Sequence, residues 1–268
     1  MDIIEIKNLN FKYNDKEIFN NFNLKIKKST FTTIIGLNGS GKSTLIRILL
    51  GLLNYNGEII IGGLTLNKEN INEIRKKIGV VFENPDNQFV AETVMDDIAF
   101  TLENLQIKPS EIKTKVKEIA EYIGISKLLD RTPHSLSGGE KQLVALASAL
   151  VHEPKILILD EALTMVDIKV RKKIYDILED IHKNKDITII NVTHDMDEVL
   201  YGDDIILIDK GNIILKGPKE EVLLEEKVFN KLNIDLPFMV SLSIKLKYYG
   251  LIDRLIFDME EMVDEVWK

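Results

Sequence analysis

Residues 36–43, Gly-Leu-Asn-Gly-Ser-Gly-Lys-Ser, decide the fold of this chain. They follow a β-rich run, Phe-Thr-Thr-Ile-Ile at 31–35, and precede a segment whose apolar residues recur at helical spacing. Glycines between a strand and a helix let consecutive backbone N–H groups and the helix N-terminus face an anion. The pattern is that of a phosphate-binding loop, in which Lys42 would reach the β- and γ-phosphates of a nucleotide and Ser43 would ligate Mg²⁺.

A second motif, Ile-Leu-Ile-Leu-Asp-Glu at 156–161, is an apolar run that ends in two acids. Four consecutive aliphatic residues are typical of a parallel strand that is buried on both faces. At its carboxyl end, Asp160 would hold the Mg²⁺ shell, and Glu161 would polarise a water for in-line attack on the γ-phosphate. Alone, this pattern also fits a solvated strand end, but beside a phosphate loop it becomes far more specific.

A third motif, Leu-Ser-Gly-Gly-Glu at 136–140, opens a helix that Leu143 and Ala147 predict. Ser137 is a natural N-cap, and two glycines free the backbone to approach a ligand closely. A helix that is merely capped would explain Ser137 but would leave the pair of glycines unexplained.

Composition narrows the classes of function. The chain has 268 residues, a formal net charge of −8, no cysteine and 45% hydrophobic residues. The absence of cysteine excludes disulfides, thiolate nucleophiles and cysteine-bound metals. The acidic balance argues against a nucleic-acid binder that works by neutralising phosphates. No stretch reaches the ~18 uninterrupted apolar residues of a membrane span, so we do not expect the chain to cross a membrane.

The apolar pattern along the chain predicts an α/β body with a helical insert. Alternating or continuous apolar runs predict strands at 4–6, 22–26, 156–159, 187–192 and 205–208. Residues 93–150 carry three helical patterns, with Ser110 as the expected N-cap of the middle helix and Gly124 past its end. Helices are expected again after residue 225.

Together with Thr193-His194-Asp195, the three motifs occur in the order of the nucleotide-binding subunit of ATP-binding-cassette transporters, which the sequence resembles over residues 1–225. The resemblance implies an α/β fold, a P-loop NTPase (RecA-like) core with a β-strand-rich N-terminal part and a helical subdomain inserted at about 88–150. Residues 226–268 would form a short helical C-terminal appendage. It also implies a head-to-tail dimer in which the signature, residues 137–140, closes over ATP held by the other subunit.

The resemblance gives each site residue a role, with ATP as substrate and Mg²⁺ as cofactor. Tyr13 matches the aromatic residue that stacks on adenine, a contact worth about 1–3 kcal/mol, although an ordinary strand aromatic remains the alternative. His194 matches the switch histidine that contacts the γ-phosphate, and Asp167 matches the acid that communicates across the dimer. The ATP-binding set is Tyr13, Gly36, Asn38, Gly39, Ser40, Gly41, Lys42, Ser43 and Thr44; the signature is Ser137, Gly138, Gly139 and Glu140; the Mg²⁺ ligands are Ser43 and Asp160; the catalytic residues are Glu161, His194 and Glu83.

Two positions depart from the family pattern. Glu83 stands where the family has a glutamine that touches Mg²⁺ and the attacking water. Its carboxylate would ligate Mg²⁺ more strongly but would set a negative charge near the γ-phosphate. At ~4 Å and an effective dielectric of ~20, one like-charge pair costs about 4 kcal/mol unless the metal offsets it. Residues 162–167, Ala-Leu-Thr-Met-Val-Asp, lack the proline that usually follows the acidic pair.

Two further stretches indicate one branch of the family. Residues 82–90, Phe-Glu-Asn-Pro-Asp-Asn-Gln-Phe-Val, are similar to the FQNPDNQ stretch of energy-coupling-factor importers of cobalt, nickel and vitamins, and residues 93–100 resemble their TVEEDVAF. This branch implies an ATPase bound peripherally at the cytoplasmic face of the cell membrane to a transmembrane coupling subunit and a substrate-binding membrane subunit, without nucleic acid. The second ATPase would be another copy or a paralogue, and the cargo would be cobalt in preference to nickel or a vitamin. The tail at 236–251 would either assist dimerisation or pack on the body.

Three alternatives stay open. A soluble cassette ATPase not coupled to transport is one, although translation factors of that type usually carry two cassettes. A chromosome or DNA-repair ATPase would place a long coiled coil between phosphate loop and signature, whereas only about 95 residues without sustained heptads separate Lys42 from Ser137. Because of Glu83, a nucleotide-gated binding protein with negligible hydrolysis is the third.

The exchange Glu83→Gln tests the unusual carboxylate. We expect it to change the rate of ATP hydrolysis appreciably, because it removes a charge beside the γ-phosphate and keeps an oxygen ligand. Steady-state phosphate release measures the rate. An unchanged rate would remove Glu83 from the catalytic residues.

Overall fold

The computed structural model describes residues 1–164 and 166–267. Met165, in the segment that lacks the expected proline, lies outside the described residues. The strands are β1 (Asp2–Tyr13), β2 (Lys16–Lys27), β3 (Phe31–Ile35), β4 (Asn56–Ile61), β5 (Leu64–Thr65), β6 (Ile78–Phe82), β7 (Ile156–Asp160), β8 (Thr188–Thr193), β9 (Asp204–Asp209) and β10 (Asn212–Pro218). The helices are α1 (Lys42–Leu49), α2 (Ile71–Arg75), α3 (Val94–Asn104), α4 (Pro109–Ile123), α5 (Gly138–Leu150), α6 (Ile168–Asn184), α7 (Lys219–Val222), α8 (Glu226–Lys231), α9 (Phe238–Tyr248) and α10 (Met259–Val266). Among these helices, none has the length and apolar character needed to span a bilayer.

The larger sheet places the predicted motifs at the carboxyl ends of its parallel strands. It has six strands in the order β10-β9-β3-β8-β7-β6, and β3, β7 and β8 are buried along their whole length, as their aliphatic runs predict. The parallel register sets Ile35 beside Thr193, and it sets Asp160 between Val192 and Phe82. The segments that follow these strands therefore leave the sheet side by side.

Both faces of this sheet are covered. In β7, Leu157 and Leu159 join a core cluster with α3, α4, α5 and α6, whereas Ile156 and Ile158 join a cluster with α1 and the antiparallel sheet β2-β1-β4-β5. The alternation follows from the two-residue period of a strand. The predicted α/β fold with a β-rich N-terminal part is confirmed.

The helical insert corrects one expectation. The predicted helix around Ser110 is α4, but Ser110 is not its N-cap: the helix begins at Pro109, and Lys108 occupies the cap position. Proline is favoured at the first helical position because it has no N–H to leave unpaired and its φ is already helical. The other end agrees with the prediction, since Gly124 follows the helix with φ of 75°.

The C-terminal helices are packed partly on the body. Phe229 of α8 and Val240 of α9 are fully buried in a cluster that includes Ile35 and Leu207 of the large sheet. Phe238, at the start of α9, is 68% exposed. One predicted alternative for the tail, packing on the body, is therefore observed for the inner face of these helices.

Gly79 in β6 offers a test of the core packing. A Cβ built there would lie 2.2 Å from the carbonyl oxygen of Ala149 in α5, so strand and helix approach too closely for a side chain. We expect Gly79→Ala to lower the free energy of unfolding by about 1–3 kcal/mol, as overpacked cores do. Urea unfolding followed by circular dichroism measures the loss. Gly138→Ala is the matched control, since a Cβ there meets nothing within 4 Å; equal losses in both variants would contradict the packing explanation.

Candidate nucleotide-binding site

Two glycines shape the loop between β3 and α1. A Cβ at Gly36 would lie 2.1 Å from the carbonyl oxygen of Ile208, and Gly41, the residue before α1, has φ of 110°. The N–H of Gly211 donates to the Ser40 carbonyl at 2.9 Å and holds the loop from outside. No side chain of the described residues caps the start of α1, so its first N–H groups are available to an anion.

Lys42 places a buried positive charge inside this loop. It is 4% exposed, and its Nζ donates to the Gly36 carbonyl at 2.7 Å and lies 3.6 Å from Glu161 Oε1. Burial lowers the pKa of Lys42, and the neighbouring Glu161 opposes that shift. Phosphate oxygens would give this ammonium charged hydrogen-bond partners in place of a neutral carbonyl. The site thus fits an anionic ligand.

Ser43, the residue after Lys42, and Asp160 bring two possible metal-ligand oxygens together. The Ser43 hydroxyl donates to Asp160 Oδ1 at 3.1 Å. Burial raises the pKa of Asp160, which is 8% exposed, and the Ser43 hydrogen bond opposes the shift. A cation would stabilise this buried carboxylate, and hydroxyl and carboxylate oxygens are ligands that Mg²⁺ accepts. The residues present fit a magnesium ion.

Glu161 turns away from Asp160 and contacts two other predicted site residues. Its φ is 52°, a left-handed conformation that is strained for a residue with a side chain, and its N–H donates to the Val192 carbonyl at 2.8 Å. Oε1 faces Lys42, and Oε2 lies 2.9 Å from Nδ1 of His194. The structure therefore brings Lys42, Glu161 and His194 together. A carboxylate held in this way can accept a proton from a water.

Glu83 lies at the same carboxyl ends of the strands as Asp160. A residue that the sequence did not indicate, Gln142, holds the backbone there. Glu83 is exposed and directly follows Phe82, which pairs with Asp160. The buried Gln142 of α5 donates from Nε2 to the carbonyls of Phe82 at 3.0 Å and Ala162 at 2.5 Å. The signal was a glutamine on a helix face that is otherwise apolar. Such a side chain is rarely buried unless its amide is satisfied.

The signature begins α5 as the sequence predicts. Ser137 Oγ accepts from the Glu140 N–H at 3.4 Å, and Glu140 Oε2 accepts from the Ser137 N–H at 2.9 Å, which is a capping box. Among the described residues, no hydrogen bond or ion pair joins 137–140 to the phosphate loop. The structure does not bring these two motifs together within one chain.

Tyr13 ends β1, and its side chain is 39% exposed. The Phe11 ring packs edge-on against it, with ring centroids 4.8 Å apart. The same hairpin reaches the phosphate loop, because a Cβ at Gly41 would lie 3.0 Å from Phe19 Cζ. The hairpin therefore leaves an aromatic face accessible on the element that borders the loop.

Asp167 caps α6. Its Oδ1 accepts from the N–H groups of Lys169 and Val170 at 3.0 and 3.1 Å. An aspartate at this position thus has a local explanation as an N-cap in addition to its predicted role.

Comparisons with known proteins identify the family of this chain. A family model described as ABC transporter matches residues 19–164. The chain is 42% identical to the energy-coupling factor transporter ATP-binding protein EcfA1 of Mycoplasmopsis synoviae, over 99% of this chain and 100% of that protein. A solved structure, cbiO1 from Clostridium perfringens, part of the ABC transporter complex cbiONQ, has a TM-score of 0.77 and 36% identity and covers 90% of this chain and 98% of its own. A dimeric ATP-binding cassette with ADP and Pi has a TM-score of 0.73 and 27% identity, covering 81% and 98%.

The fold and the site define a P-loop ATPase. Given the family match and the full-length relatives, the chain belongs to the ABC transporter family, in its energy-coupling factor branch. The predicted family, fold class and ATPase activity are confirmed.

Asp160 links stability to pH. Because burial raises its pKa, its carboxylate form destabilises the folded chain, and stability is lost as pH rises above the ordinary aspartate value of about 4. We expect Asp160→Asn to raise the Tm of the nucleotide-free protein at neutral pH by a few degrees. The gain should disappear in acid, where the carboxyl group is protonated in both states. Differential scanning fluorimetry across pH measures it.

The exposed Asp176 provides the control. Asp176→Asn should leave Tm at neutral pH unchanged, because the residue is exposed. A Tm below wild type for Asp160→Asn at neutral pH would contradict the linkage.

Proposed function

We propose that this ATPase powers an energy-coupling-factor-type importer, in which ATP binding closes two subunits and hydrolysis with product release opens them. The observation that carries the hydrolytic role is the position of Glu161, 3.6 Å from Lys42 Nζ and 2.9 Å from His194 Nδ1. Coupling to import is inferred from the relatives named as energy-coupling factor transporter ATP-binding proteins. A shift in conformational populations, produced by differential binding, would transmit the work.

Each residue of the phosphate site has a separate task. Lys42 and the free N–H groups of α1 would bind the β- and γ-phosphates and stabilise the charge that develops on them. Glu161 would accept the proton of the attacking water. His194, bonded to the same carboxylate, would hold it in place and contact the γ-phosphate. Glu83, exposed at the adjacent strand end, would face the same water.

Ser43 and Asp160 would hold Mg²⁺, which neutralises charge on the phosphates when bound. Their 3.1 Å contact keeps both oxygens at one place beside α1. The buried setting of Asp160 strengthens its interaction with a cation, since the local dielectric is low.

A second ATPase subunit, identical or a paralogue, would complete each site. The signature residues 137–140 carry no bond to the phosphate loop of their own chain, and Gly138 has open space around it. One similar structure is a dimeric cassette with ADP and Pi. In the proposed dimer, Tyr13 stacks on adenine, and Asp167 contacts the partner.

The membrane partner would dock beside the helical insert. A groove of ≈ 830 Å³ is lined by Arg75, Phe100, Thr101 and Gln106, and a smaller cleft beside it is lined by Gln88 and Phe89. This groove would receive a helix of the transmembrane coupling subunit, and a substrate-binding membrane subunit would complete the importer. The chain would thus be peripheral on the cytoplasmic face of the membrane.

The proposed cargo is a transition-metal ion, cobalt first, or a vitamin. The cargo would not touch this chain, so the choice follows only the branch that residues 82–90 and 93–100 resemble. Within the chain, we propose that residues 1–225 form the cassette, with the helical subdomain at about 88–150, and that 226–268 form the appendage.

Glu161→Gln tests the central role. We expect steady-state ATP hydrolysis to fall at least about 100-fold, the scale of a lost general base, while nucleotide binding persists. The blocked variant should form a dimer in Mg²⁺ and ATP by size-exclusion chromatography with light scattering. Glu118→Gln, at an exposed position of α4, is the control and should keep wild-type turnover.

A blocked variant that stays monomeric with Mg²⁺ and ATP would contradict the composite site. Coupling to import has its own readout, which is co-purification of the tagged chain from membranes with a polytopic partner. Recovery of fully active protein without such a partner would favour the soluble ATPase.

A further inference from the structure

The first turn of α6 contacts two parts of the molecule that have separate predicted roles. Asp167 caps the helix. Val170 packs against the signature, because a Cβ at Gly139 would lie 3.0 Å from Val170 Cγ2. Arg171 then reaches the segment that carries His194, since its Nη1 lies 2.6 Å from Asp195 Oδ2. One short piece of helix therefore touches both the signature and the switch histidine segment.

The Arg171–Asp195 pair is partly shielded from water, with 25% and 29% of the two side chains exposed. The other carboxylate oxygen of Asp195, Oδ1, accepts from the Asp197 N–H at 3.0 Å, and the Asp195 N–H donates to Thr193 Oγ1 at 3.0 Å. The residue after His194 is thus held on its backbone and on both of its carboxylate oxygens. Each restraint limits where the His194 ring can lie.

A buried polar network supports the segment that carries His194. Asn191 of β8 donates to Glu198 Oε2 at 2.8 Å and lies 3.4 Å from the Tyr175 hydroxyl of α6. The Tyr175 ring stacks on Tyr201 with centroids 3.6 Å apart. The segments before and after His194 are both tied to α6, so Arg171 extends from a fixed support.

We propose that Arg171 is a positioning residue for hydrolysis: through Asp195 it holds His194 against Glu161. The inference rests on the proposed role of His194. The His194 side chain is 39% exposed, and its Nδ1 lies 2.9 Å from Glu161 Oε2, so contacts made by the ring restrain its position only weakly. The backbone on its C-terminal side, fixed by Asp195, supplies the rest. A misplacement of about 1 Å in a reacting group can lower a rate about 100-fold.

The test compares kcat with the KM for ATP. We expect Arg171→Met to lower kcat roughly tenfold or more and to change KM less than about twofold, because no phosphate contact is lost. Arg171→Lys, which keeps a charge for Asp195, should recover most of the rate. Lys172→Met removes one positive charge from the next, exposed position and should leave both constants unchanged.

A second variant covers the case in which Arg171→Met does not fold. Asp195→Asn removes the ion pair but keeps an Oδ1 acceptor for the Asp197 N–H, and it should reproduce the loss of kcat. The double variant should be no slower than either single one, since residues that act as a unit are not additive.

The decisive comparison uses the His194→Ala background. If Arg171 acts through His194, Arg171→Met should produce no further loss there. A further loss equal to that in wild type, or an Arg171→Lys rate no better than Arg171→Met, would overturn the inference. If His194→Ala leaves kcat unchanged, the proposed role of His194 fails. If His194→Ala lowers kcat but Arg171→Met does not, only the positioning role of Arg171 is overturned.

Discussion

A buried ammonium group is the constraint on which the site depends. Lys42 is 4% exposed, and a charge removed from water needs partners that are equally fixed. It finds them in the Gly36 carbonyl after β3 and in Glu161 after β7, and Glu161 in turn contacts His194 after β8. These partners meet because three parallel strands end in register. The fold and the charge therefore support one another, since the ends of these strands place the Gly36 and Glu161 oxygens that the ammonium needs.

Two adjacent acids illustrate how backbone geometry separates chemical roles. Asp160 points to Ser43 and is buried, which raises its pKa, whereas Glu161 takes a left-handed φ of 52° and points to Lys42 and His194. Neither arrangement by itself favours the stability of the fold: one buries a carboxylate, and the other strains the backbone. Such local conflicts concentrate at functional sites, where the surrounding structure maintains them. A metal ion at Asp160 would offset the first conflict, because a nearby cation favours the carboxylate form.

Helices α5 and α6 each serve two parts of the molecule. In α5, Ser137 and Glu140 form the capped end that carries the signature, and Gln142 in the following turn donates to Phe82 at the end of β6 and to Ala162 just after β7. In α6, Val170 supports the signature glycine, and Arg171 holds the segment after β8. Each helix therefore connects the signature to residues near the carboxyl ends of the parallel strands.

The local chemistry of this chain was readable from its sequence. The phosphate loop, the acids that end β7 and the capping box at Ser137 depend on neighbours within a few residues, so their residue types and spacing determine them. Ser110 was misassigned at that same local level, because Pro109 competes for the first turn. Gln142 and Arg171 form hydrogen bonds with residues 60 and 24 positions away, and no pattern in the sequence predicts such pairs. Those contacts were decided by the tertiary structure, because only the register of the parallel strands sets which distant backbone and carboxylate oxygens lie within hydrogen-bond reach.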